Sequence, residues 1–452
     1  MSNNKRSGCG CSGCFGSFMF MILIIILCVV IVNISEPGEV IDSEYDPDDD
    51  IISLDSDDET DDDIWDTDDT NPPDTDTPDT EAPDTDAPDN NNPSGDDGMP
   101  EGEFLYYYEQ LNDTEKTVYK AMLKALENNK NGFTLKKINY ADYGPAIKNA
   151  IVALTYDKPI YFWVTNGYDT TYYDRVGTTN DQIDFTFRNY EYWDYTMSPE
   201  KYMAELQREV DKAVALAKKY KDPFEQAVFV HDYLVHHAEY DYDALEESEK
   251  TIHAASSEYI YSAYGCLVNK KTVCSGYAEA FQLIMNGLGV NTTVVVGDAG
   301  GPHEWNAIEL GGKMYYVDVT WDDSDRKNDS GVFIYTDDSE YEYMCITTDE
   351  LEKTHAPDRE DFTPPLCDST EYNYFIRMGY YLEAYSFEEF EDIVERQAQT
   401  KKIISIRFAT KAEFDKAVKT IIEENRGFEI SVLSDGYSYN IDEKHYTIKF
   451  LL

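Results

Sequence analysis

The chain has 452 residues, and 37 lysines and arginines against 90 aspartates and glutamates give it a formal charge of −53. The charge is uneven: residues 1–35 hold two cations and no acid, residues 36–103 hold 29 acids and no lysine or arginine, and residues 104–452 hold 35 cations and 61 acids. No basic footprint that could hold phosphates appears, so nucleic acid is not expected as a partner.

Residues 1–14 form a short tail with Lys5, Arg6 and three cysteines, Cys9, Cys11 and Cys14. The cysteines suit either S-acylation beside a membrane or a plain flexible tail. Residues 15–34 read FGSFMFMILIIILCVVIVNI, an apolar run long enough to cross a hydrocarbon core as one helix. The run exceeds a usual signal-peptide core and no small-x-small cleavage site follows it. A retained transmembrane helix is therefore expected rather than a cleaved leader, with Cys28 as one of its apolar residues. Cations before the span and acids after it put residues 1–14 in the cytoplasm and the remainder outside, a single-pass protein of the cell membrane.

Residues 35–103 combine aspartate runs such as DSDDETDDD with an imperfect Pro-Asp-Thr repeat and few aromatics. Such a segment cannot bury enough apolar surface to fold, and self-repulsion extends it into a disordered acidic stalk. The turn glycine and terminal glutamate of a calcium loop are missing from the aspartate runs, so no specific calcium site is expected there.

Residues 104–197 read as a small α+β domain. A helix carries Leu111, Val118, Met122, Leu123 and Leu126 with Asp113 as its cap, and strands are expected at PIYFWV after Pro159 and at Ile183, Phe185 and Phe187. Residues 198–370 open with a helix after Ser198, with Pro199 first and Tyr202, Leu206, Val210 and Val214 on one stripe. A second helix starts at Asp222, where Asp-Pro-Phe-Glu reads as a capping box. Residues 371–452 suggest a compact βαβ-like domain. It has a helix after Ser386 and Glu389, a strand at 403–408, a helix over 411–425, and strands near 428–433 and 446–451. No ionisable cluster there calls for a chemical explanation.

The chemistry concentrates in residues 264–323. After Cys274 the apolar positions Tyr277, Ala278, Phe281, Ile284, Met285 and Leu288 recur at helical spacing, and Gly289 stops the helix. Cys274 thus sits at a helix N-terminus, where the dipole and free N–H groups favour a thiolate and can receive an oxyanion. Gly276, on the first turn, leaves room for a substrate backbone to approach. A buried strand over Val290–Gly297 follows, then a hairpin turn at Gly311–Gly312. That turn pairs Leu310 with Lys313, which sets Asp318 opposite Trp305 and makes His303 its diagonal neighbour on the same face. Cysteine at a helix start with histidine and aspartate on adjacent strands is what thiol acyl transfer requires: an imidazole to take the proton and a carboxylate to orient it.

The succession VCSGYAEAF, HEWNAI and YYVDVTWDD resembles the catalytic core of the transglutaminase-like superfamily over roughly residues 224–325. That match includes the segments HDYL and YDYD, and the flanks, including YEYMCITTDELEKTHAPDREDFTPPLCDSTEYNYF, resemble those of membrane-attached or secreted bacterial members. The resemblance implies an α+β, papain-like core with Cys274 as nucleophile, His303 as general base and acid, and Asp318 as orienting carboxylate. Tyr264 is a weak candidate for an additional oxyanion donor.

Other residues have plainer readings. His231, His236 and His237 share one helix without partners at metal-ligand spacing, so packing is expected. Glu304 points away from His303, and Trp305 and Trp321 are core or cleft walls. Among Cys266, Cys345 and Cys367 one disulfide is expected outside the cell, Cys345 with Cys367 as the candidate pair. The expected protein is a membrane-anchored extracytoplasmic acyltransferase or hydrolase acting on protein or peptide carboxamides at the cell surface or wall, without cofactor or metal. A cysteine peptidase of the same fold and a non-catalytic surface-binding module are the alternatives.

Overall fold

The computed structural model describes residues 51–54, 102–166, 168–173, 181–187, 198–250, 258–323 and 339–452. The expected tail (1–14), membrane span (15–34) and nearly all of the stalk lie outside these residues. Among the described residues no helix is long and apolar enough to cross a membrane.

The N-terminal unit runs β1 (Ile51–Leu54), α1 (Asp113–Glu127), β2 (Gly132–Ile138), α2 (Tyr140–Asp157), β3 (Tyr168–Tyr173) and β4 (Asp181–Phe187). Its sheet has the order β1-β2-β4-β3, so four residues placed in the stalk by composition pair parallel with β2. The cap of α1 is Asn112 rather than Asp113: its side chain accepts from Glu115 N–H while Glu115 accepts from Asn112 N–H. Phe133, Phe185 and Tyr168 stack across the sheet at 4.8 and 5.1 Å. The expected strand PIYFWV is instead a run of 3-10 turns, Pro159–Asn166. Phe162, Trp163 and Val164 are buried there, and Phe162 stacks on Tyr264 at 5.3 Å. An aromatic run bound for the interior gives the same sequence signal in either conformation.

The central unit contains α3 (Pro199–Ala217), α4 (Pro223–His237), β5 (Glu239–Tyr240), α5 (Tyr242–Lys250), β6 (Lys271–Thr272) and α6 (Cys274–Gly287). They are followed by β7 (Thr292–Asp298), β8 (Pro302–Leu310), β9 (Lys313–Val317), β10 (Met344–Ile346), α7 (Thr348–Leu351) and β11 (Ala356–Pro357). Five strands form one antiparallel sheet in the order β10-β9-β8-β7-β11. Helix α6 packs on β7 and β8, with α3 and α4 against it. The β8–β9 hairpin has the expected register, Leu310 opposite Lys313 through Asn306 opposite Val317. Gly311 and Gly312 make its turn at φ +60° and +77°, which a side chain would strain.

The C-terminal unit comprises α8 (Tyr374–Met378), β12 (Tyr381–Leu382), α9 (Phe387–Gln397), β13 (Ile403–Phe408), α10 (Lys411–Val418), β14 (Ser438–Asp442) and β15 (Thr447–Leu451). β12, α9 and β13 form the expected βαβ element, since β12 and β13 are parallel. The helix expected to reach residue 425 is α-helical only to Val418 and ends in a π turn, Lys419–Glu423. The segment near 428–433 is two 3-10 turns, and the strand comes later as β14. Gly427 is closely packed there: a Cβ would lie 2.3 Å from the Tyr437 hydroxyl.

An ionisable cluster that the sequence did not reveal joins this unit to the central one. The buried guanidinium of Arg407 donates to Glu342 Oε2 at 2.7 Å and to the Glu342 carbonyl at 2.9 Å. Thr447 donates to the same Oε2 at 3.0 Å. A buried ion pair adds little net stability, because desolvation offsets its attraction, but removing one partner strands a charge in the interior. Glu342→Ala is expected to lower the unfolding free energy by ~3–5 kcal/mol in urea titration. The double variant Glu342→Leu, Arg407→Met is expected to recover most of that loss. A double variant no better than the single one contradicts a charge-specific seam.

Candidate active site

Cys274 is the first residue of α6, preceded by Val273 in extended conformation (φ −120°, ψ −170°). The first helical hydrogen bond runs from Tyr277 N–H to Val273 O at 3.3 Å, so the amides of Cys274, Ser275 and Gly276 lie ahead of the helical ladder at the positive end of the dipole. The entry is fixed by β6, whose Thr272 pairs with Tyr240 of β5, and by Val273 N–H donating to Ile260 O at 2.9 Å. Gly276 has a different reason from the expected substrate approach. A Cβ there would meet Thr272 Oγ1 at 2.0 Å and Ser262 O at 2.5 Å, so its space is already filled by the chain entering the helix.

His303, on β8, and Asp318, one residue beyond β9, meet as the hairpin register requires: Nε2 of the imidazole lies 2.7 Å from Asp318 Oδ2. Asp318 is buried, its Oδ1 accepts from Trp321 N–H at 3.0 Å, and its own N–H donates to Tyr343 O at 3.2 Å. With Nε2 committed to the carboxylate, Nδ1 is the ring nitrogen left for the thiol of Cys274, whose proximity contributes to the raised pKa of His303. Burial pulls the His303 pKa down. The charges of Asp318 and Cys274 and their hydrogen bonds outweigh it and push the value up to about 10. Burial alone would raise Asp318, but His303 and His355 hold it well below the usual carboxylate range.

His355 is the site residue missed in the sequence. Its Nε2 lies 3.0 Å from the same Asp318 Oδ2, and its side chain is fully buried. It lies 37 residues after Asp318 and is brought back by the loop between α7 and β11, so no spacing pattern links it to the other three. Trp305 stacks on His303 at 5.8 Å and meets His355 edge-on at 5.0 Å, while Trp321 lies 4.6 Å from His355. The tryptophans therefore wall the two imidazoles. Trp305 is core, at 1% exposure, and Trp321 is half-buried.

The family model for the transglutaminase-like superfamily matches residues 211–324, which hold Cys274, His303 and Asp318. This stretch is a transglutaminase-like domain. The chain is 27% identical over 146 residues to kyphoscoliosis peptidase of mouse and of human, a match covering 29% of this chain and 20% of each relative. It thus spans about a fifth of the length of these relatives. Among solved structures, a TGase is 15% identical with 42% of this chain and 51% of that one covered, at a TM-score of 0.26. A putative cysteine protease from Cytophaga hutchinsonii is 14% identical, with 34% and 63% covered, at a TM-score of 0.20. Scores this low leave the assignment to the family match. A transglutaminase-like domain supports a general acyl-transfer or peptidase type of activity.

Within this domain the remaining candidates separate. The Tyr264 hydroxyl, the weak oxyanion candidate, donates to Glu205 at 2.7 Å and is committed away from the thiol. The acids Glu279 and Glu304 both have raised pKa values through burial, with each other's proximity adding to the rise of Glu304. The α4 histidines do not converge: His236 contacts the Asp232 carbonyl, His237 the Leu267 carbonyl, and His231 lies buried between Asp232 at 3.2 Å and Asp322 at 3.3 Å. Beyond the domain, Cys345 and Cys367 are buried free thiols, which overturns the expected disulfide. Cys345 packs in the main core and Cys367 in the smaller cluster around Trp305, so their side chains serve different layers.

Nitrogens of His303 and His355 and a carboxylate oxygen of Asp318 lie within 4.8 Å of one another. Both Nε2 atoms point at one oxygen at hydrogen-bond distance, so the trio is satisfied as two imidazole donors on one carboxylate.

For His231, burial lowers the pKa, but hydrogen bonds and charge from Asp232 and Asp322 outweigh it and push it up to about 9. The values of about 9 for His231 and about 10 for His303 both exceed the ~6.5 of an unfolded histidine. Their contribution to stability is therefore complete below about pH 6.5 and lost as the pH rises through the folded values. Urea midpoints are expected to fall steadily from pH 7 to 10, with a flatter slope between pH 7 and 9 in His231→Gln. An unchanged slope in that variant contradicts the pairing.

Proposed function

We propose that the chain is a membrane-anchored, extracytoplasmic thiol acyltransferase or hydrolase acting on protein or peptide carboxamides through Cys274, His303 and Asp318. The observation that carries this reading is the 2.7 Å contact of His303 Nε2 with Asp318, on an imidazole whose pKa is also raised by the nearby thiol of Cys274 at the start of α6.

His303 Nδ1 takes the thiol proton, and the sulfur attacks the carboxamide carbon. The oxyanion accepts hydrogen bonds from the first-turn amides of α6. The imidazolium then returns its proton to the departing nitrogen as the C–N bond breaks, leaving a thioester on Cys274. An amine or a water, deprotonated by His303, attacks the thioester and restores the thiol. An amine gives a cross-link, and water gives deamidation or proteolysis. Asp318 keeps Nε2 protonated and stabilises the imidazolium throughout. This chemistry calls for no cofactor and no metal. The peptidase reading draws support from the name of the kyphoscoliosis peptidases, of which this chain covers a fifth.

In the same proposal residues 15–34 anchor the protein, residues 1–14 are cytoplasmic, and the acidic stalk lifts the domain towards substrates at the cell surface or wall. Iodoacetamide is expected to label Cys274 at neutral pH much faster than an exposed cysteine, and His303→Ala is expected to slow labelling by roughly 100-fold. Reactivity equal to an ordinary thiol in both proteins would sink the enzyme reading. With a glutamine-containing peptide and a primary amine, the amine-linked product or the deamidated peptide is expected. Cleavage fragments alone would reassign the chain as a peptidase. Protease added to intact cells is expected to remove residues beyond 104, and full protection would overturn the orientation.

A further inference from the structure

His355 is a polar side chain fully buried among Trp305, Trp321 and Tyr343, at ring distances of 5.0, 4.6 and 5.2 Å. A leucine would fill such a space without the cost of desolvating two ring nitrogens, so packing alone gives no reason for an imidazole. Both nitrogens are in use. Thr354 Oγ1 lies 2.7 Å from Nδ1, nearer than the 3.2 Å to its alternative acceptor, the Leu351 carbonyl. The Asp318 carboxylate can only accept, so the ring hydrogen of His355 sits on Nε2, facing Oδ2 at 3.0 Å, and in the neutral ring Nδ1 then accepts from the Thr354 hydroxyl. Thr354 in turn accepts from the Tyr343 hydroxyl at 3.2 Å. The donors thus run in one direction, from Tyr343 through Thr354 and His355 to the carboxylate that also accepts from His303.

Asp318 Oδ2 receives two imidazole hydrogens while Oδ1 receives the Trp321 amide. A carboxylate oxygen can serve two donors with its in-plane lone pairs only near one rotation about the Cβ–Cγ bond. We infer that His355 is a positioning residue of this site: it locks the Asp318 carboxylate so that Oδ2 stays in line with His303 Nε2 and His303 Nδ1 stays aimed at Cys274. This inference rests on the thiol reading above, but it concerns the His303–Asp318 hydrogen bond, which can be observed without turnover.

The test combines two readouts on His355→Phe, which removes the donor, His355→Gln, whose amide nitrogen replaces Nε2, and Thr354→Val, which releases Nδ1. One readout is the rate of Cys274 alkylation by iodoacetamide. The other is the far-downfield proton resonance of His303 Nε2–H, assigned by its loss in His303→Gln. Losing one hydrogen bond to a charged group corresponds to roughly 10- to 100-fold. His355→Phe is expected to slow alkylation by that factor at an unchanged thermal midpoint and to move the His303 resonance upfield. His355→Gln is expected to restore the resonance and to bring the rate within about threefold of the parent protein. Thr354→Val is expected to fall between the two and serves as the decisive variant if His355→Phe does not fold.

A downfield resonance unmoved in folded His355→Phe or Thr354→Val overturns the inference, as does His355→Gln being as impaired as His355→Phe. If the parent thiol alkylates no faster than a free cysteine, the enzyme reading fails. The resonance still decides the role of His355.

Discussion

The geometry of the site depends on three carboxylates buried within six residues, Asp318, Asp322 and Asp323. Each is tied to a different part of the fold. Asp318 holds His303 on the sheet, Asp322 pairs with His231 of α4 and accepts from Tyr343 N–H at 3.1 Å, and Asp323 accepts from the Tyr277 hydroxyl of α6 at 2.8 Å. Tyr277 stands one turn from Cys274. The same short segment therefore fixes the position of the imidazole and of the helix that carries the thiol. The distance between them is set by chain geometry over a few residues rather than by separate elements that could drift apart. Burying three acids is costly unless each is hydrogen-bonded or paired. Here each acid is hydrogen-bonded to a group that the site needs to keep in place.

The constraint extends into the C-terminal unit. Tyr343 offers its carbonyl to Asp318 N–H and its amide to Asp322, and it directly follows Glu342, whose carboxylate and carbonyl are held by Arg407. Arg407 lies on β13, well beyond residue 324, where the family match ends. Its link through Glu342 and Tyr343 leads to the carboxylate that orients the imidazole. The C-terminal βαβ unit thus braces the strand beside the site as well as packing against it. His355, which bonds the same carboxylate, enters from the segment between these two units. The site is closed by residues beyond 324, where the family match ends.

This arrangement explains what could be read from residues alone. Cys274 was readable because helical periodicity starts abruptly after it. The His303–Asp318 contact was readable because a two-glycine turn fixes a hairpin register, and register fixes faces. Both signals are local. His355, the Arg407–Glu342 pair and the Asp323–Tyr277 bond are contacts between positions 37 to 65 residues apart, set by how layers pack, and no periodicity encodes them. PIYFWV and the 428–433 segment failed for a related reason. Aromatic and β-branched residues mark burial, and burial reads as a strand only where a neighbouring strand is present. The expected Cys345–Cys367 bridge rested on compartment and proximity in sequence, neither of which determines which face of a sheet a side chain occupies.

The same physics bears on the −53 charge. Interactions between solvent-exposed charges fade over about 8–10 Å at physiological ionic strength. His303, Asp318 and His355 lie behind tryptophan rings, where screening is weak and the partners within hydrogen-bond distance dominate. The buried carboxylates are thus governed by their hydrogen-bond partners rather than by the net charge of the chain. One carboxylate, desolvated and triply hydrogen-bonded, holds the imidazole.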